Sequence, residues 1–261
     1  MSKKPRWTEN YIGKGFMEVE FSSWKYFHDY IRQEMLDYSH YIWRGQRDSD
    51  WMLESSLDRL LRGTSPSNRD QLAKNHLEKF KYAARGRRGV NPARIDDENE
   101  WWALGQHHGL ATPLLDWSES PFVALYFAFE KEQRPKSRKR AVWALSPPFN
   151  KNKEIVAVHK GKGRPPTLDT VRPHQDENAR LVSQSGLFTR GPLGETVDGW
   201  IQRNFSGDNP IAILLKLVLP EKGRNECLST LNRMNINHVT LFPDLYGAGH
   251  HCNKYLQIDQ Y

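Results

Sequence analysis

Residues 101–130, WWALGQHHGLATPLLDWSESPFVALYFAFE, decide how this chain is read, because no other stretch of that length is as apolar, as aromatic or as well punctuated. The segment 97–108 has helical spacing, with Trp101, Leu104 and His108 on one stripe and Gly109 standing where a left-handed cap would close the helix. A second helix opens with Ser120 as N-cap and Pro121 at the first helical position, where a missing N–H costs nothing. Phe122, Val123, Leu125, Tyr126, Phe127 and Phe129 leave this helix almost no polar face, so it belongs inside the domain. Between the two helices, residues 110–119 crowd Thr112, Asp116 and Ser118 among Leu114, Leu115 and Trp117, directly after His107 and His108. Burying a carboxylate there is costly unless it is paired. A hydrogen-bond network that caps the Phe-rich helix and a ligand site both account for such a cost, and both stay open.

Working outward, 16–21 alternates as a strand, and Ser22 and Ser23 can cap a helix carrying Trp24, Phe27, Tyr30 and Ile31. Residues 41–43 read as a strand entering a turn at Arg44-Gly45-Gln46, 51–61 has Leu53, Leu57 and Leu60 at helical spacing, and 68–85 reads as an exposed helix. After the central stretch, 141–146, 154–159, 180–188, 211–219 and 238–242 read as strands, and 221–234 as a helix. The segment 161–176 reads as a long loop and 191–209 as an irregular or weakly helical insertion. Strands and helices mix without regular βαβ alternation. The expectation is a single α+β domain over 1–261, with its core at about 16–258 and basic or irregular insertions near 131–140 and 160–178. Its mixed or antiparallel sheet would be flanked by helices.

The 261 residues can bury a sizeable core, and 11% of them are aromatic, so that core should be built on rings. No apolar run approaches the ~18 residues of a membrane span, and Cys227 and Cys252 form no disulfide framework; a soluble, cytoplasmic protein is expected. The net charge of +7 favours acidic partners, of which nucleic acid is the commonest. The excess clusters at Lys79, Lys81, Arg85, Arg87 and Arg88; along Arg134, Lys136, Arg138, Lys139 and Arg140; and at Lys151, Lys153, Lys160, Lys162 and Arg164. Solvated loops and phosphate contacts both explain such clusters.

Arg44 at a strand end offers a planar five-donor fork for phosphate or carboxylate, and Gly45 lets a backbone or ligand approach closely; a structural pair with Asp116 is the other reading. His107 and His108 suit acid–base work or hydrogen bonding in the core, but adjacent helical positions diverge by roughly 100°, which disfavours a shared metal. Cys227, His250, His251 and Cys252 lack metal-site spacing. No Walker loop, GxGxxG, GxSxG or HExxH occurs. Gln184-Ser185-Gly186 marks a bulge or, with Arg180 and Phe188, a pocket wall; Asp244 caps a turn after the last strand.

Four ordered blocks across most of 41–247 resemble the FRG domain family. WRGQ at 43–46 is similar to the family's FRGQ, and GQHHGLATPLLDWSESPFVALYFA at 105–128 to its central block. RLVSQSGLFT at 180–189 is similar to its Q-x-G-x-F strand, and LFPDLYG at 241–247 to its close. Pro113 departs from the pattern, which carries Arg there. The arrangement is in turn similar to ADP-ribosyltransferases of the Arg–Ser–Glu type, in which an early Arg-Gly holds the NAD phosphates, a strand-to-helix block supports nicotinamide, and a late strand brings a glutamate.

That resemblance implies an ADP-ribosyltransferase-like fold with NAD as substrate. Trp43, Arg44, Gly45, Gln46, His107, His108, Thr112, Trp117 and Tyr126 would bind it, the aromatic rings by stacking. Arg44, Asp116, Ser118, Glu119 and Gln184 would carry catalysis. The late strand offers Gln184 instead of glutamate, so Glu119, Asp116 or Glu54 must substitute. A basic rim of Arg85, Arg87, Arg88, Lys136, Arg138, Lys139 and Arg140 would meet a nucleic-acid acceptor, RNA above all. The implied role is a bacterial toxin or phage-defence effector, with a neutralising antitoxin. Two other functions remain: a non-catalytic nucleic-acid- or nucleotide-binding module, and a nuclease using His107, His108 and Asp116.

Overall fold

The computed structural model describes residues 5–173, 179–205, 212–259 and 261. Among them, β1 (Trp7–Gly13), β2 (Phe16–Phe21), β3 (Ile42–Gln46), β4 (Leu114–Ser118), β5 (Lys139–Leu145), β6 (Asp169–Val171), β7 (Gly186–Arg190) and β8 (Leu214–Pro220) form one mixed sheet in the order β1-β2-β8-β5-β3-β4-β7-β6. β2 and β8 run parallel; the other neighbours are antiparallel. Helix α1 (Tyr26–Tyr30) continues into a π-helical turn, Ile31–Met35. Then come α2 (Ser56–Leu60), α3 (Pro66–Ala83), α4 (Glu98–His107), α5 (Pro121–Phe129), α6 (Phe149–Val158), α7 (Ala179–Ser183), α8 (Val197–Asn204), α9 (Arg224–Arg233), α10 (His238–Leu241) and α11 (Leu245–Gln257). The fold is α+β, and among the described residues no helix is long and apolar enough to cross a membrane.

Strand alternation divides the core between the two faces of the sheet. Val19, Trp43, Val142, Ala144, Leu215 and Leu217 pack with α5 and with Phe27, Tyr30 and Leu228, whereas Ile42, Trp117, Trp143, Leu187, Leu214 and Trp200 build the opposite face. As expected, α5 is buried, with the Ser120 hydroxyl accepting the Val123 N–H and Pro121 in its first turn. Its far end is clamped by two guanidiniums. Arg140 donates to the carbonyls of Ala128 and Lys131, and Arg224 to those of Phe129, Glu130 and Lys131. Cations there satisfy carbonyls that a helix C-terminus leaves open, and they oppose its negative dipole end.

The sheet is unevenly joined at its centre. β3 registers with β5 from Ile42–Leu145 to Gln46–Ala141, and β4 with β7 from Leu114–Arg190 to Ser118–Gly186. Among the described residues, β3 and β4 share one pair, Trp43 with Ser118. Here β3 lies so close under α5 that a Cβ on Gly45 would sit 2.0 Å from the Ala124 carbonyl oxygen and 2.5 Å from the Ala128 nitrogen. Gly45 is therefore required for the close approach of helix and strand.

Several expectations need correction. The segment between α4 and α5 contains β4, which sends Leu115 and Trp117 into the core and leaves Asp116 turned out, 64% exposed. No buried carboxylate in this segment needs explaining. On α4, Trp102, Ala103 and Gly105 are buried, not the stripe through Trp101, Leu104 and His108; Gly109 does adopt the left-handed conformation, at φ 85°. Residues 154–158 belong to α6, 180–183 to α7, and 238–241 to α10, whose Asn237 and Thr240 form a reciprocal cap. In 51–61 the helix covers only α2. β1, β6, α8 and α11 emerge where no element, or only a loop or weak helix, was expected, and Asp244 caps α11 by accepting the Gly247 N–H. Ile211 lies outside the described residues.

Candidate functional site

Where β3 and β4 part, a cavity of about 930 Å³ opens, in the upper part of the range typical of small-molecule sites. Its walls come from Arg44–Arg47 on and after β3, the 50–54 segment, Arg59 and Arg62 at α2, Asp116–Ser118 on β4, Ala124 and Phe127 on α5 with Glu130 and Lys131 after it, Gln184, and Phe242.

Arg44 lies at the centre. Its Nη1 donates to the Asp116 carbonyl at 2.7 Å and lies 3.6 Å from Asp116 Oδ2, so the guanidinium spans the parted strands. Its Nε is buried and has no partner among the described residues. Burial lowers the Arg44 pKa; Asp116 opposes that shift, and nearby Arg59 adds to it. Two guanidiniums crowded together with one N–H unsatisfied make a locus that a bound anion would relieve. Arg59 uses Nη1 on the Glu54 carbonyl at 2.7 Å. Glu54 is committed to Arg62, whose Nε donates to it at 3.1 Å and whose Nη2 makes a second contact.

The remaining predicted residues divide between cavity and core. Gln46 lines the cavity, but its amide donates to the Met52 carbonyl and accepts the Trp143 N–H, fixing the 50–54 wall. The Ser118 hydroxyl donates to the Gln184 carbonyl and accepts the Ser120 N–H, pinning β4 to the start of β7 and to the cap of α5. Gln184 turns its amide to the Leu241 carbonyl. Trp43 and Trp117 border the cavity with rings packed in the two cores, and Tyr126 is wholly buried beside His238, its hydroxyl 3.1 Å from Nδ1. Stacking is therefore not available to Tyr126, and the exposed ring at the cavity is Trp51.

His107, His108, Thr112 and Glu119 do not line the cavity. Glu119 pairs with Arg172 at 2.6 Å, and Thr112 is fully buried, donating to Gln106, which in turn donates to Asp116 Oδ1 at 2.7 Å. This relay sets the position of the Asp116 carboxylate. Burial, and then His108, lowers the His107 pKa, which keeps that imidazole neutral near pH 7. Among the described residues no group of three His, Cys, Asp or Glu side chains is placed to hold a metal.

None of the seven basic residues expected to meet nucleic acid lines the cavity. Arg140 is fully buried, paired with Glu221 and clamping α5, so it can touch no phosphate. Lys139 pairs with Glu20 at 2.7 Å, Arg85 lies over the Tyr82 ring, and Arg87 and Arg88 donate to the Ala83 and Ala93 carbonyls. Lys136 and Arg138 are exposed. Sequence reasoning missed Trp51, Arg59, Arg62, Phe127, Glu130 and Phe242 at the cavity. The three-residue spacing of Phe127 with Glu130 was an available signal, since such a pair shares a helical side.

Residues 39–137 match the model of the FRG domain family, a little over a third of the chain that includes Arg44, β4 and α5. No curated protein and no solved structure matches the chain.

Proposed function

For a chain that carries an FRG domain, we propose that the cavity at Arg44 binds NAD and that the protein transfers ADP-ribose from it to a nucleic acid. The observation that carries this reading is the Arg44 guanidinium, crowded by Arg59 and left with a buried, unsatisfied Nε beside a cavity of about 930 Å³. A diphosphate supplies the charge and the acceptor oxygens that these two side chains lack. The three strands that the ADP-ribosyltransferase pattern requires are neighbours: β3 with Arg44, β4 with Ser118, and β7, which follows Gln184.

In the reaction the bond between ribose C1′ and the nicotinamide nitrogen breaks, its electron pair leaving with neutral nicotinamide. The acceptor's nucleophilic atom then forms the new bond to C1′ and releases its proton. Positive charge develops on the ribose meanwhile, and a fixed carboxylate alongside it lowers that barrier. Asp116 takes this role: Gln106 orients it and it stays accessible, whereas Glu54 is bound to Arg62 and Glu130 lies 3.2 Å from Lys131. Ser118 and Gln184 are positioning residues that hold β4 and β7 together. Acting on nucleic acid in the cytoplasm, such a transferase would be a toxin or phage-defence effector that calls for a neutralising antitoxin.

The test is incubation of the folded protein with NAD carrying label on its adenylate, alone and with total RNA or DNA, reading nicotinamide release and label transfer. Release that falls at least a hundredfold in Arg44→Ala and in Asp116→Asn is the expected result. Absence of both release and transfer ends the reading. One observation favours a second function, a non-catalytic nucleotide-binding module: β7 opens on Gly186, and no carboxylate from that strand reaches the cavity among the described residues. Saturable, Arg44-dependent NAD binding without release would decide for it.

A further inference from the structure

Away from Arg44 the cavity wall changes character. Trp51 and Met52 are 46% and 60% exposed and lie next to each other at a charged opening. The Arg47 guanidinium lies 4.8 Å from the Trp51 ring centroid and reaches Gln133 with Nη1. Arg62 and Lys131 complete the opening. Among the described residues neither Arg47 nor Arg59 forms an ion pair with a carboxylate, whereas the other cations of this cavity do.

We propose that this mouth, Arg47, Trp51, Met52, Arg62 and Lys131, is where the acceptor docks, and that it holds a single-stranded segment of nucleic acid. Its assignment as the acceptor site rests on the NAD reading above; the binding of a strand does not. An exposed indole accepts the face of any unpaired base, and guanidiniums alongside it track the phosphates on either side. A base inside a duplex has no free face to offer the ring, so a single strand is the form that fits. Of the basic residues conspicuous in the sequence, Arg140 and Lys139 are paired with carboxylates, and none of the seven expected to meet nucleic acid lines the cavity. The mouth instead combines ring, charge and direct continuity with the Arg44 end in one concavity.

The experiment uses the full chain and short unstructured oligonucleotides: RNA bearing 4-thiouridine, DNA bearing 4-thiothymidine, and the duplex of each. Irradiation followed by peptide mapping locates the contact, and fluorescence anisotropy gives the affinity. Crosslinks within 47–62 are expected, with affinity that drops steeply as salt rises. Trp51→Ala and Arg47→Ala should each weaken binding at least tenfold, and Trp51→Phe should restore most of it. Binding of RNA, of DNA or of both supports the site and identifies the source of the strand. Crosslinks confined to other peptides, duplex binding as tight as single-strand binding, or no saturable binding overturns it. Nicotinamide release, measured in parallel, separates the two ideas. Crosslinks at 47–62 without release end the transferase reading alone, and release without those crosslinks ends the docking site alone.

Discussion

Arg140 and Arg44 lie on neighbouring strands of one sheet and are alike in sequence, each followed by a small residue. Their surroundings are opposites. Arg140 meets Glu221 through Nε, Ala128 through Nη1 and Lys131 through Nη2, so every arm of its fork is used. Arg44 reaches the Asp116 carbonyl with one arm and keeps a buried N–H without a partner. A saturated guanidinium stabilises the fold, whereas an unsaturated one beside open space is stabilised by what binds there. The pair separates structural arginine from ligand-seeking arginine without appeal to residue type.

The largest expected effect breaks or confirms that contrast directly. Arg140→Ala strands Glu221 and the Ala128 carbonyl and should cost about 3–5 kcal/mol, with Tm falling on the order of 10 °C. Arg44→Ala, by the same calorimetry, should cost less than about 1 kcal/mol, because it removes a group whose polar needs are already unmet. Equal losses in the two variants would erase the distinction.

The saturated end of α5 also carries a pH signature. His238, stacked on Phe242 at 4.3 Å and 3.8 Å from Glu130, has its pKa lowered to about 4, by burial first and by His250 next. Between pH 6.5 and about 4 the unfolded chain binds a proton at this imidazole that the folded chain refuses. Stability contributed here is therefore full above pH 6.5 and falls as pH drops towards 4, by up to about 3 kcal/mol. Urea midpoints at pH 7 and pH 4.5 should differ more for the parent than for His238→Gln. On the open side, Gly45→Ala drives a methyl into the Ala124 carbonyl and should cost about 1–3 kcal/mol by denaturant titration. The smallest effect belongs to the first turn of α5: Ser120→Ala removes the acceptor for the Val123 N–H and should cost about 1 kcal/mol.

Where local chemistry decides structure, the sequence was legible. Ser120-Pro121 marked the start of α5, Gly109 the cap after α4, and Arg44-Gly45 the edge of the cavity. Tertiary competition hid the rest. Val156, Val182 and Val239 look like strand residues by their branching, yet they lie on α6, α7 and α10, the last of which is fixed by its reciprocal Asn237–Thr240 cap. Arg180-Leu181-Val182 reads as the run-in to β7, but Ser185, at φ 46°, turns the chain first. Arg140 was expected at a nucleic-acid rim and is buried instead, since a basic run says nothing about which member faces the core. Trp51 was passed over because an aromatic residue in a mixed segment gives no sign of lying exposed at a mouth.

The lone Trp43–Ser118 pair makes the sheet mechanically two plates that meet along a weak line, with the Arg44 arm to the Asp116 carbonyl laid across it as a stitch. Amides of β3 and β4 facing that line have few partners to shed, so they should exchange with deuterium ahead of those between β5 and β8. A molecule gripping Arg44 from one plate and Ser118 or Gln184 from the other would act as a rivet, slowing that exchange on both sides at once.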